Sequence, residues 1–116
     1  MQSVVEQIDN IVIFRLKNTR IEGDISSQLK AKMLIVAQPD IDALLIDLSS
    51  VEAMDSSGLG ALLLAKRQLN GTDIPIALCG VRDFVRSLMV ITQLVHEFHF
   101  FDSVEQALEE MTEEDD

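Results

Sequence analysis

Across residues 10–17, Ile11, Ile13 and Arg15 alternate with Val12, Phe14 and Leu16. Apolar residues on both sides suit a strand covered on at least one face. A second β-rich stretch, Val4 to Ile8, comes before it, and Asp9-Asn10 between them reads as a hairpin turn. Asn18 to Asp24 is polar and reads as a loop. From Ile25 the period changes. Ile25, Leu29, Met33 and Val36 recur at steps of four, four and three, with Gln28, Lys30 and Lys32 off the stripe, which predicts a helix stopped by Pro39-Asp40. Ala43-Leu44-Leu45-Ile46-Asp47-Leu48 is a nearly continuous apolar run, as expected of a strand buried on both faces. A second helix is predicted from about Gly58 to Asn70, closed by Gly71-Thr72-Asp73. Ile74 to Cys79 forms another buried-strand run, with Pro75 near its start where proline is tolerated. Phe84, Val85, Leu88, Met89, Ile91 and Val95 fall at helical spacing over Asp83 to Val95. Glu97 to Phe101 reads as a short strand, and Val104, Ala107, Leu108 and Met111 mark a last helix. Thr112 to Asp116 is an acidic stretch expected to fray.

The predicted order is β-β-α-β-α-β-α-β-α. Strands alternating with helices imply crossovers and an α/β fold, here one domain over residues 1–111 with a mixed, mostly parallel sheet of about five strands and about four helices. Length agrees, since 116 residues make one domain, and 47% hydrophobic with 25% charged residues is ordinary for a packed globular chain.

Charge narrows the function. Twenty acidic residues against nine basic ones give a formal net charge of -11, which argues against partners held mainly through phosphates, such as DNA or RNA, and against an anionic membrane surface. No apolar run approaches the roughly 20 residues of a membrane span. Met1-Gln2-Ser3-Val4-Val5-Glu6 lacks the basic start and apolar stretch of a signal peptide, and Cys79 alone cannot form an internal disulfide. A cytoplasmic protein is the expectation. Metal chemistry is not expected: His96 and His99 lie in an extended segment and do not share a helical face, and no cysteine or carboxylate cluster completes a ligand set. Cys79, Met33, Met89 and Met111 read as core packing.

The informative stretch is Asp47-Leu48-Ser49-Ser50-Val51-Glu52-Ala53-Met54-Asp55-Ser56-Ser57-Gly58-Leu59-Gly60-Ala61-Leu62. It runs from a buried strand through a polar turn into a helix start. Asp55, Ser56 and Ser57 are all good capping types, because their oxygens accept the free amides of a first helical turn. Gly58 and Gly60 each cost about 1 kcal/mol relative to alanine inside a helix, so close approach to the backbone is one explanation and incidental glycines beside an ordinary cap are the other. Such a helix start can also hold an anion. The spacing fits neither a phosphate-binding P-loop nor a dinucleotide fingerprint, which needs a third glycine where Leu63 stands. It does not fit a nucleophile elbow either, because Met54 occupies the first glycine position.

Asp47-Leu48-Ser49 followed by Met54-Asp55-Ser56-Ser57-Gly58-Leu59-Gly60 resembles the central motif of the STAS domain, specifically of bacterial anti-sigma factor antagonists. Ile91-Thr92-Gln93-Leu94 and Phe101-Asp102-Ser103-Val104-Glu105-Gln106-Ala107-Leu108 are similar to the end of that family. The resemblance implies a regulatory binding protein and not an enzyme, with no cofactor. Its partners would be a serine kinase of the histidine-kinase-like ATPase type that doubles as an anti-sigma factor, and a metal-dependent serine phosphatase. The unphosphorylated form would bind the kinase, phosphorylation at Ser56 would release it, and the phosphatase would restore binding. The switch loop would comprise Asp55, Ser57, Gly58, Leu59 and Gly60, with Asp55 orienting the Ser56 hydroxyl. A carboxylate near the serine would come from Glu22 or, as its rival, Asp24. Lys66 and Arg67 would either join partner contact or simply be solvated. Gln93 departs from the family, which often has glycine there. Two other readings share the motif: the same kinase and phosphatase circuit with another output, such as biofilm or secretion control, and a STAS domain that binds a nucleotide or lipid.

Overall fold

The computed structural model describes residues 1–112; the acidic residues 113–116 lie outside the described part. The first hairpin pairs β1 (Ser3–Ile8) antiparallel with β2 (Ile11–Leu16), and Asp9 at the turn adopts φ 54°, the left-handed conformation that tight hairpin turns require. After β2 the chain makes a two-residue strand β3 (Arg20–Ile21), then α1 (Asp24–Val36), β4 (Ala43–Asp47), β5 (Ala53–Met54), α2 (Ser56–Gln68), β6 (Ile76–Cys79), α3 (Asp83–Ile91), a single 3-10 turn at Val95–Glu97, β7 (His99–Phe101) and α4 (Val104–Thr112). The main sheet runs β1-β2-β4-β6-β7, and every pair after the first hairpin is parallel.

Alternation along each strand sorts the core into two layers. Val12, Phe14, Leu16, Leu44, Ile46, Ile76 and Leu78 face the layer formed by α1, α2 and α3, together with Leu29, Met33, Leu62, Ala65, Val85 and Met89. Ile11, Ile13, Ala43, Leu45, Ala77 and Cys79 face the other side, where α4 supplies Val104 and Ala107. Burial of both faces is the reason β4 and β6 read as continuous apolar runs.

The α/β order and the mixed sheet match the expectation from sequence. The differences are local. The segment read as a loop over 18–24 contains β3, which pairs parallel with β5 (Arg20 with Ala53, Ile21 with Met54). The pair buries Ile21 and Met54, an apolar signal too short to have a period. The second helix starts two residues earlier than Gly58 and ends at Gln68. The third strand run begins at Ile76, because Pro75 cannot donate to the ladder. The third helix stops at Ile91, and the chain closes it with a Schellman motif: the Leu94 N–H donates to the Met89 carbonyl (2.8 Å) and the Gln93 N–H to the Val90 carbonyl (3.0 Å). Gln93 therefore sits at φ 63°, in the left-handed position where glycine is ordinarily favoured.

Candidate functional site

The segment of interest is assembled by the small β3–β5 ladder. The Asp55 N–H donates to the Ile21 carbonyl (3.2 Å), and the Glu52 and Ala53 N–H groups both donate to the Thr19 carbonyl (2.7 and 3.2 Å). This stitches the stretch before α2 to the stretch before α1, so the loop holding Glu22, Gly23 and Asp24 emerges beside the one holding Asp55 and Ser56. The two helices then run side by side, packed on each other.

Asp55 is the N-cap of α2, with extended backbone (φ -98°, ψ -176°). Its Oδ1 accepts from the Gly58 N–H at 3.0 Å and from the Ser57 hydroxyl at 2.6 Å. These donors, the Ser57 hydroxyl first and the Gly58 amide next, hold the Asp55 carboxyl below its ordinary range. Ser56 is the first helical residue and is exposed; among the described residues its hydroxyl has no hydrogen-bond partner. The expected role of Asp55 thus changes: it holds Ser57, the neighbour of Ser56, and leaves the Ser56 hydroxyl free.

The other residues of the predicted loop divide by burial. Gly58 and Leu59 are buried. A Cβ on Gly58 would lie 2.5 Å from Met54 Cγ and 3.1 Å from both Ile21 Cγ2 and the Ile21 carbonyl oxygen. The missing Cβ lets α2 sit close on the β3–β5 ladder. Gly60 is different: it is half-buried, with open space where a Cβ would go. Glu22 is exposed and paired with Arg20 (3.3 Å), two residues back along the chain. Asp24 is the first residue of α1, exposed, with its charge at a helix N-terminus where it is favourable. Lys66 and Arg67 are exposed in the last turn of α2, at the end of the helix that favours cations.

Two supports of the site, Asp47 within the motif and Arg82 outside it, were given no role by the sequence. Asp47, at the end of β4, is buried and accepts from the Ser49 N–H (3.0 Å) and from Arg15 Nη1 (3.0 Å), which fixes the turn leading out of the strand. Arg15 is shared with Glu6 (2.7 Å), and the two carboxylates, Glu6 foremost, raise its pKa. Arg82 Nε donates to the Ser49 carbonyl at 2.9 Å and ties the start of α3 to the same turn. Beyond that anchor, α3 packs against β5 and leaves Phe84 and Ile91, one helical face apart by seven residues, 59% and 77% exposed.

A family model for the STAS domain matches residues 2–107. The chain belongs to the STAS domain family. Solved structures agree on the fold. This STAS domain is similar to an anti-sigma-factor antagonist domain protein from Planctomyces limnophilus, at 19% identity and a TM-score of 0.87, covering 95% of this chain and 97% of that one. It is similar to an anti-sigma factor antagonist from Mycobacterium paratuberculosis, at 24% identity and a TM-score of 0.78, covering 94% and 92%. A third is the Bacillus cell fate determinant SpoIIAA in its phosphorylated form, at 20% identity and a TM-score of 0.74, covering 95% and 99%. Among the described residues no helix is long and apolar enough to cross a membrane, and no group of histidine, cysteine or carboxylate side chains is arranged to hold a metal ion.

Proposed function

We propose that this STAS domain is a partner-binding regulator switched by phosphorylation of Ser56, with a serine kinase that also acts as an anti-sigma factor as its target and a metal-dependent serine phosphatase as the enzyme that resets it. The observation that carries the reading is the contrast between two adjacent serines. Ser57 donates its hydroxyl to Asp55, while Ser56, exposed at the first position of α2, has a free hydroxyl. A kinase needs the second kind.

The electrostatics support a switch that leaves the fold alone. Phosphate adds about -1.5 to -2 charge and three acceptor oxygens. At the N-terminus of α2 an anion is favourable by about 0.3–1 kcal/mol, so the domain tolerates it. A partner that accepts a neutral hydroxyl there meets a dianion beside the Asp55 carboxylate, already fixed as an anion by its donors. Mispairing a charge in an interface costs about 2–5 kcal/mol, or about 30- to several-thousand-fold in affinity. The exposed strip of Phe84 and Ile91 on α3 supplies apolar area for the same partner, while Gly60 gives the partner's backbone room on α2.

The test is incorporation of phosphate from ATP by a kinase of this ATPase type, mapped by mass spectrometry, with capture of that kinase measured in parallel. Phosphate on Ser56, none in Ser56→Ala, and capture lost in Ser56→Asp are expected. Phosphate on Ser57 with Ser56 unmodified would overturn the assignment.

A further inference from the structure

The main sheet ends in two edges built in different ways. β7 has three residues and lies between a 3-10 turn and α4. β1 has six, pairs with β2 in unbroken register from Ser3 with Leu16 to Ile8 with Ile11, and contains no proline and no lysine. Val4, Val5 and Ile8 on it are 46%, 45% and 46% exposed. Edge strands are ordinarily kept from pairing by short length, proline, bulges or outward charge. β1 has none of these. Its one charged side chain, Glu6, is drawn toward β2 by Arg15 at 2.7 Å, away from the open side.

Hydrogen-bond parity fixes which backbone groups face outward. Lys17 N–H donates to the Gln2 carbonyl, so Gln2, Val4, Glu6 and Ile8 direct their N–H and C=O groups toward β2. Ser3, Val5 and Gln7 direct theirs to the open edge.

We infer that β1 is a self-association edge, at which two copies of the chain pair antiparallel about a two-fold axis through Val5 and join their sheets. That register is self-complementary. Val5 lies opposite Val5 of the second copy, the Ser3 hydroxyl opposite the Gln7 carboxamide, and Val4 opposite Glu6. The two Glu6 carboxylates are diagonal, not opposed, and each is held by its own Arg15. All three outward-facing residues find partners in the same register. The competing two-folds, through Ser3 or Gln7, leave half of the strand unpaired. On the face shared with Val5, Val12, Val36, Ile35 and Ile41 line an adjoining groove, with Ile35 64% exposed, so apolar contact continues beyond the strand. A second copy is the occupant because each strand supplies the complement the other needs, which an isologous interface demands.

Sedimentation velocity on the full chain from micromolar to millimolar protein tests this. The wild type is expected to show a concentration-dependent monomer–dimer equilibrium. Val5→Lys sets like charges directly opposite across the axis and weakens it by about tenfold or more. Val5→Cys is expected to form an interchain disulfide under mild oxidation, since directly opposed Cα atoms near 5.5 Å suit that bond, whereas Ile8→Cys does not. The native Cys79 is buried and does not compete. A wild type monomeric throughout, a dimer indifferent to Val5→Lys, or equal crosslinking of Val5→Cys and Ile8→Cys would each overturn the inference. Val5→Cys is a small change at a half-exposed site, and it decides the matter even if the lysine variant folds poorly.

Discussion

α1 and α2 are near twins in their setting. Each spans 13 residues, each follows a two-residue strand, those strands pair with one another, and the helices pack together. Each also carries a pair of serines in its first turn, Ser26-Ser27 and Ser56-Ser57. Their starts are nonetheless opposite in chemistry. α1 begins after Gly23 at φ 58°, and among the described residues no side chain caps it, while Ser26 turns inward, 2% exposed, its hydroxyl without a hydrogen-bond partner there. α2 begins after a capping Asp55, and Ser56 faces outward. Ser26 is the third residue of α1 and Ser56 the first of α2, so one hydroxyl is carried into the core and the other is available for chemistry. Position in the first turn, and the burial that goes with it, separates the two.

The largest effect should come from making the available serine permanently anionic. Ser56→Asp is expected to weaken partner capture by about 30- to several-thousand-fold while circular dichroism stays unchanged. The same change at the exposed Ser27 of α1 should leave capture within a factor of two or so. Equal losses at both positions would dissolve the contrast.

Gly58→Ala attacks the frame that makes α2 differ. Its Cβ would meet Met54 and the Ile21 backbone, so a loss of about 1–3 kcal/mol is expected in chemical denaturation. Gly60→Ala, with open space around it, should be neutral or slightly stabilising. A similar cost at both glycines would mean that the seat on the β3–β5 ladder is not what demands Gly58.

The two helix starts should then respond with opposite signs. Asp55→Ala removes a working cap and lowers Tm by a few degrees. Ser26→Ala removes a buried hydroxyl that has no partner, and is expected to raise stability by up to about 1 kcal/mol. A loss of stability in Ser26→Ala would reveal a bond to that hydroxyl.

The smallest expected effect is in acid. Asp55 is held below its ordinary value of 3.8 by the Ser57 hydroxyl and the Gly58 amide, so the folded state binds this proton less readily than the unfolded chain. Its contribution is therefore complete above that ordinary value and is lost as pH falls through the lowered one. Denaturation midpoints followed from pH 5 downward (about two units) should fall more steeply for the wild type than for Asp55→Asn. Parallel curves would remove Asp55 from the acid response.

Much of this architecture was legible because the core writes itself into long periods. The stripe of Leu29, Met33 and Val36 and the continuous run of β4 identify their elements, since each buries a face several residues long. The Asp55-Ser56-Ser57 helix start was legible as cap chemistry. β3 and β5 were not, because two residues have no periodicity and their pairing joins positions over thirty residues apart. The roles inside the motif were read less well for the same reason. Gly58 looked like a surface for a partner, yet a Cβ there would meet Met54 first and then Ile21, which lies on a segment distant in sequence. Leu59 belonged to the same string of letters, but the helical turn carries it inward to 3% exposure.

By itself the sequence determined the α/β order, the helix start at Asp55 and the acidic balance of the chain, because propensity, period and net charge are local or additive. Which serine is free was decided by the geometry of the helix start, through a bond between residues only two apart. Ser56 and Ser57 are equivalent as residues and both are exposed, but the Asp55 carboxylate, 2.6 Å from the Ser57 hydroxyl and bonded to the Gly58 amide as well, leaves the Ser56 hydroxyl unbound among the described residues. Only the fold makes β1 an edge: its short β-rich sequence does not say which side will be open, and the open side exists because the sheet ends there.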